Sequence, residues 1–359
     1  MDWIHKGSLL IIISVFSVSA FALKPEWRIG FNYFFDNTEF AKSTYTKDQT
    51  MSGTHISPEL GYSIDSTQSV FGGIDLLKIS GSQHVVDIFQ PIAYYRYKTP
   101  KMCFYAGAFP RHELLSNYSS LFFQDSVVNF RPNLNGVFWK LGSKNAFLTL
   151  WMDLTGYQTL TQRESFFVGS SGAYNFGGFF VDFQSYMFHL ANTLTTQYQV
   201  SDNILGHLSL GFNHSNKMGL DTLLVGIGVL GGVENDRSLH LEQARTPIGA
   251  VFRFNFEYKG IGTENYLYLG DQRNVYYHKF STNLYWNNPF LQGSFYANNQ
   301  LYVNIVKSDD VKIRLVSRQH FSEGKVMTEQ YFTTLLNLES IHDNLRRQRK
   351  FFYKRLLER

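Results

Sequence analysis

Cysteine is almost absent from this chain: Cys103 stands alone among 359 residues. No disulfide can form within one molecule, and neither a cysteine-rich zinc site nor a CxxC redox motif can be assembled. Long apolar runs are missing too. Past the first 22 residues there is no uninterrupted apolar stretch of roughly 18 residues. The longest candidate, 223–233, carries four glycines, which excludes crossing a membrane by helices. Charge is sparse, at 17% Asp, Glu, Lys and Arg. Its excess lies at one end, where 339–359 holds seven basic residues against three acidic ones and so accounts for the net +4. The near-neutral body is not that of a nucleic-acid-binding domain.

Against these absences stands an aromatic content of 17%, with 33 Phe, 22 Tyr and 5 Trp, at a mean hydropathy of only -0.20. Alternation of apolar and polar residues produces that combination. In a strand, successive side chains point to opposite faces, so a wall in lipid places apolar groups at every second position. Trp27, Ile29, Phe31, Tyr33 and Phe35 share one phase against Arg28, Gly30, Asn32 and Asp36, with Phe34 as the interruption. Ile56, Pro58, Leu60, Tyr62 and Ile64 alternate with Ser57, Glu59, Gly61, Ser63 and Asp65. From Val128, the residues Phe130, Pro132, Leu134 and Phe138 are set as the lipid phase against Arg131, Asn133 and Asn135. Ile248, Ala250, Phe252, Phe254, Phe256 and Tyr258 oppose Arg253, Asn255, Glu257 and Lys259; Val311, Ile313 and Leu315 oppose Lys312, Arg314 and Arg318. Tyr and Trp near run ends, Trp27, Tyr62, Trp139 and Tyr258, suit the headgroup level.

Further strands are expected to begin near Val70, Ile88, Met102, Phe147, Phe179, His207, Leu220, Tyr266, Phe280, Phe295 and Val326. The predicted fold is all-β, a transmembrane antiparallel barrel of about 14–16 strands followed by a short C-terminal basic helix or tail. Short turns, Asp65-Ser66-Thr67, Gly142 to Asn145, Ser201-Asp202-Asn203, Asn235-Asp236-Arg237, Ser308-Asp309-Asp310 and Ser322-Glu323-Gly324, suit the periplasmic rim, and the polar stretches 37–52, 111–125 and 234–246 the outer rim. The ends bracket the barrel. Lys6, an apolar run from Leu9 to Phe21 and the small-x-small Ala20-Phe21-Ala22 mark 1–22 as a signal peptide. The barrel then occupies 23–338, and 339–359 is a periplasmic basic tail. Its Ile341, Leu345, Phe351 or Phe352, Leu356 and Leu357 are at loosely helical spacing.

The segments GFNYFFDNTEF (30–40), PIAYYRYKTPKMCFYAGAFPR (91–111), LWMDLTGYQT (150–159) and RLVSRQHFSEGKVMTEQYFTTLLNLE (314–339) resemble a group of porin-like outer-membrane barrel proteins of the Bacteroidota. The resemblance covers most of 27–339. It implies a bacterial outer-membrane location, with membrane lipid and the barrel assembly machinery as partners, and brings no settled activity. The chain departs from such barrels in continuing past Glu339, where they often end on an aromatic-terminated strand.

A catalytic set is not apparent. Asn213-His214-Ser215-Asn216 is similar to the His-x-Ser-Asn of outer-membrane lipases and lipid A deacylases, but no residue separates His214 from Ser215, so in a strand the two point apart. His189 with Asp182 and Gln184, and His84 with Asp87, form no clustered metal set. The inward phase offers Arg28, Asn32, Glu59, Arg131, Asn133, Asp153, Arg253, Glu257, Lys259, Arg314 and Arg318 as lumen-lining candidates, whose opposed charges can select polar solutes or simply lock the barrel. The expectation is a channel for passive diffusion of small polar solutes, without enzymatic activity, cofactor, metal or nucleic acid. The alternatives are a non-conducting structural or ligand-binding barrel and, ranked below it, an outer-membrane lipid esterase or deacylase.

Overall fold

The computed structural model describes residues 24–112, 114–196, 200–216, 219–237, 244–277 and 286–340. The expected signal peptide, the tail beyond Ser340 and the strand start at Phe280 lie outside the described residues. Sixteen strands close into one barrel in which each pairs antiparallel with its chain neighbours and the first with the last. They are β1 (Lys24–Glu39), β2 (Gln49–Ser63), β3 (Gln68–Ile79), β4 (Ile88–Lys98), β5 (Met102–Pro110), β6 (Asn133–Gly142), β7 (Ala146–Gly156) and β8 (Ser165–Phe176), then β9 (Phe179–Leu190), β10 (Ser201–Asn213), β11 (Thr222–Asp236), β12 (Ile248–Tyr258), β13 (Ile261–Gly270), β14 (Phe295–Lys307), β15 (Val311–Ser322) and β16 (Lys325–Glu339). The closing ladder runs from Arg28 opposite Glu339 to Glu39 opposite Thr328. Closure removes the free edge that would leave backbone N–H and C=O groups unpaired in hydrocarbon.

The alternation holds in most strands. Leu60, Phe252 and Leu315 are exposed, at 74%, 42% and 49%, while Arg28, Glu59 and Glu257 between such residues are buried. Trp27, Tyr62, Trp139 and Tyr258 are all exposed near the rim where β1 begins and β16 ends and that carries most of the short connections, hereafter the turn rim. Phe89, Phe295 and Phe321 are exposed near the opposite, loop rim. Pro58 has no N–H to give, and the β2–β3 ladder skips Ser57 and Pro58 before resuming at Glu59. At the turn rim, Asp65 accepts the Thr67 N–H and hydroxyl and the Gln68 N–H. The Thr67 backbone bond leads in holding its carboxyl down at about 2.

Several expectations move. The run from Val128 is a short helix, α1 (Asp125–Phe130), before β6 begins at Asn133, and its phase is inverted. Leu134 and Phe138 are buried inside, whereas Val137 and Trp139 are exposed. Pro132, which lacks an N–H, lies just outside the strand and forces this break. β10 starts at Ser201 and β13 at Ile261, earlier than His207 and Tyr266. The expected turn Ser201-Asp202-Asn203 is paired strand, and β8 was not foreseen. Ser322-Glu323-Gly324 turns at the loop rim, with Glu323 and Gly324 both at positive φ.

The interior is not wholly polar. Tyr94, Phe109, Phe138, Trp151, Phe167 and Phe188 point inward from β4 to β9 and enclose Leu121, Phe122 and Val127 of 111–132 and Trp286, Phe290 and Leu291 of 271–294 in one hydrophobic cluster. The aromatic content therefore divides between the lipid face and a filled lumen. Glycine on β11 makes part of that filling fit: a Cβ on Gly232 would lie 2.6 Å from the Nη2 of Arg273, a fully buried loop residue.

Phe252→Arg at mid-strand on the lipid face is expected to lower unfolding free energy by about 2–4 kcal/mol. Urea titration of the barrel refolded in phospholipid vesicles measures it, and unchanged stability places Phe252 away from lipid. Glu323 accepts the Thr44 N–H and the hydroxyls of Ser43 and Thr44; burial opposes its ionisation, but these bonds outweigh burial and hold its carboxyl below the usual glutamate range. A depressed carboxyl stabilises above its unfolded pKa and loses this as pH falls through the folded one. Exchange protection of the Thr44 amide, corrected for the intrinsic rate, should fall on acidification through that window. Glu323→Gln should show the loss already at neutral pH.

Candidate functional site

The inward strand phase brings most of the lumen candidates to the interior, but as locked pairs. Arg28 meets Glu339 at 2.7 Å, and its Nη1 donates to the Tyr94 hydroxyl, which donates to Glu59. Arg253 pairs with Asp182 at 3.2 Å, Arg314 with Glu264 at 3.4 Å and Glu257 with Lys307 at 2.5 Å. Arg318 bridges Glu329 at 2.8 Å and Asp125 at 3.0 Å, while Gln300 accepts from it at 2.7 Å. Asp153 holds Arg111, and the Asn133 amide donates to Gln90. Asn32 accepts from Thr333 and faces the main cavity. Two candidates sit elsewhere. Lys259 is in the two-residue turn after β12 at φ 50°, its ammonium 5.2 Å over the Tyr258 ring. Arg131 ends α1 with its guanidinium 6.0 Å from the Trp286 ring. A charge at a strand end or in a loop is not governed by strand alternation, which is why phase misplaced them.

The segment 111–132 crosses the lumen and is pinned to opposite walls. The Ser119 N–H donates to Gln184 of β9, and Tyr118 donates to carbonyls of β8 and β9. Across the axis, Asp125 meets Arg318 of β15, and the Asn129 amide oxygen accepts from Tyr331 of β16. His55 of β2 places Nε2 2.7 Å from the Asn129 carbonyl and Nδ1 2.8 Å from Asp75. Gln124 ties the segment to Tyr277 and to the Asn287 carbonyl of 271–294. A cavity of about 700 Å³ remains on the turn-rim side, and one of about 130 Å³ lies on the loop side of the same segment. Sequence reasoning missed Arg111, Asp125, Arg273, His320 and Glu329. Only His320 and Glu329 carried a signal, as polar residues in the inward phase of their strands.

The two histidine groupings set aside in the sequence as metal sites have other partners. Asp87 accepts from the Ser82 hydroxyl and the Ile79 N–H, with the Lys78 ammonium 3.6 Å away, the Ser82 hydroxyl leading the bonds that hold its carboxyl low. His214 and Ser215 sit at the turn rim, where the His214 N–H donates to Leu223 and the Ser215 hydroxyl accepts from the Leu223 N–H. No hydrogen bond joins their side chains among the described residues.

His189 has a different partner. Its neighbours Phe188 and Leu190 are buried inside, as are Ser201 and Asn203 beside Asp202, so His189 and Asp202 face outward. They are direct cross-strand partners, with Nδ1 2.8 Å from the Asp202 carboxylate. Register extends the row sideways: Phe166 stands opposite His189, and Asn235 opposite Asp202. The imidazole stacks on Phe166 at 4.7 Å, and Arg237 approaches Asp202 at 3.7 Å. This is an outward histidine–carboxylate dyad just below the loop rim, with its Nε2 facing away from Asp202. The sequence signal was a charge, Asp202, in the phase of the exposed Ile204, Leu208 and Leu210.

Arg318→Met leaves the Asp125 and Glu329 carboxylates without the guanidinium between them and is expected to cost about 3–5 kcal/mol. Chymotrypsin cleavage within 111–132 in detergent micelles should accelerate. Wild-type resistance would mean that other contacts hold the segment.

No curated protein matches the chain. Among solved structures, the loop-deletion mutant OmpTdeltaL8 of Vibrio cholerae superposes with a TM-score of 0.51, over 88% of this chain and 100% of that one, at 9% identity. OpdL of Pseudomonas aeruginosa gives 0.49 over 89% and 99% at 9% identity, and OccK8 (OprE) of the same organism 0.49 over 89% and 99% at 10%. The first of these shows an outer-membrane barrel fold. Residues 26–325 match the family described as Lipid A 3'-O-deacylase-type. That match overturns the expectation of a barrel without enzymatic activity, which rested on the lack of a catalytic set once His214 and Ser215 were read as pointing apart. Since the matched span takes in β1 through β15 and both faces of the wall, the chain belongs to the Lipid A 3'-O-deacylase-type family.

Proposed function

We propose that this protein hydrolyses an acyl ester of a phosphorylated glycolipid of the lipid A type, acting from the lipid-facing side of its wall. The observation that carries this is the outward His189–Asp202 pair. Bacterial barrels keep short turns on the periplasmic side and long loops outside, so the loop rim, and the dyad with it, belongs to the outer leaflet. Polar groups facing lipid are costly at mid-membrane and cost about 0–1 kcal/mol near the interface, where ester linkages lie.

Asp202 fixes the imidazole through Nδ1, leaving Nε2 to take a proton from water. The resulting hydroxide adds to the ester carbonyl. The tetrahedral intermediate then expels the sugar alkoxide, which recovers the proton from His189, and a fatty carboxylic acid is released. Asn235, in register beside Asp202, is placed to donate to the carbonyl oxygen as charge develops on it. Arg237, more than half exposed beside the dyad, supplies a cation for a phosphate group. The passive conduit expected from the polar inward phase needs an open axis, and 111–132 lies across it.

Purified protein in micelles with lipid A should release free fatty acid detectable by mass spectrometry. His189→Gln is expected to slow release by about 10²-fold or more, the usual scale of a lost general base, and Asp202→Asn should slow it while leaving micellar lipid binding unchanged. Undiminished release by both variants would remove the dyad from the reaction, and no release by the wild type would refute the activity.

A further inference from the structure

The two cavities on either side of 111–132 share their separating residues. Ser120, Phe123, Gln124, Asp125, Asn298 and Arg318 line both, so a single layer of chain and side chains divides them. The lower cavity reaches the turn rim at Lys307 and Lys312, and the upper one approaches the loop rim at Thr46 and Lys47. Hydrophobic packing does not fill this route. Asn304 Nδ2, Ser119 Oγ and Asn298 Oδ1 along the lower cavity, and Asp36 Oδ1 in the upper one, have no hydrogen-bond partner among the described residues. Asn304, Asn298 and Asp36 are each at most 4% exposed. Polar side chains of both donor and acceptor type thus line the two cavities in order from one rim toward the other, as the walls of a passage for hydrated solutes do.

We propose that the lumen is a gated passage for small inorganic ions, with the layer 120–125 as its gate and the Asp125–Arg318 contact as its lock. Arg318 does not depend on Asp125 alone for its charge balance, because Glu329 supplies an opposing charge and Gln300 accepts a further hydrogen bond from it. Asp125 can therefore leave without stranding a guanidinium, which is the property a lock needs. Midway along the route Arg253 is matched by Asp182 and Arg314 by Glu264, so the open passage should discriminate weakly between cations and anions. Neither His189 nor Asp202 lines either cavity, so ion flow and fatty-acid release are measured separately.

Planar-bilayer recording of the full chain in potassium chloride tests the gate. The wild type should be mostly closed, and Asp125→Asn should raise the open fraction at least tenfold, with potassium and chloride permeabilities within about threefold of each other. A second variant, Gln124→Ala, keeps the ion pair but cuts the ties of the layer to Tyr277 and Asn287, and it should also open the passage. Heat-dependent gel mobility confirms folded barrels. If both folded variants stay as closed as the wild type, or if Ser120→Trp added to Asp125→Asn leaves the openings unchanged, the route does not run through this layer and the proposal is overturned.

Discussion

The structure depends on satisfying the backbone without water. In hydrocarbon an unpaired N–H or C=O costs several kcal/mol, and β1 pairing with β16 completes a ladder that leaves no strand edge. Closure through sixteen strands then creates a second demand. A ring this wide encloses more space than its own inward side chains can fill, so the centre falls to water or to other parts of the chain. Here the connections 111–132 and 271–294 supply it, packing Leu121, Phe122, Trp286 and Phe290 against inward aromatics of the wall.

That second demand explains what the sequence could and could not disclose. Period-two alternation made the barrel legible wherever only lipid and water were involved, as in Phe252 against Arg253 or Leu315 against Arg314. It failed where the lumen is itself apolar. Leu134 and Phe138 are oily residues that point inward, because a plug of the same chain waits for them there, and nothing local distinguishes such a position from one facing lipid. β8 was passed over for a related reason: its Ser170, Ser171 and Gly172 interrupt the apolar phase, although hydrogen bonds to β7 and β9 continue through them.

The site was less legible still, since its partners meet only through register. His189 and Asp202 are separated by a loop in sequence and become neighbours because β9 and β10 pair with the offset that sets Leu190 opposite Ser201. The motif that drew attention, His214-Ser215, is adjacent in sequence and uncoupled in space. Proximity along a strand places side chains on alternate faces, whereas proximity across strands places them together.

The same alternation joins the two halves of the molecule. On β9, Gln184 and Tyr186 point inward, Gln184 holding the plug at Ser119 and Tyr186 packing against Phe122, while Met187 and His189 point to the outer face. On β10, Ser201 and Asn203 are buried inside on either side of the outward Asp202. A strand cannot shift to move one face without moving the other. The packing of 111–132 against β8 and β9 thus fixes, through the wall, the height and orientation at which the dyad meets the membrane. The filled lumen that obstructs a simple pore also holds the outward pair in place, as the proposed chemistry would require.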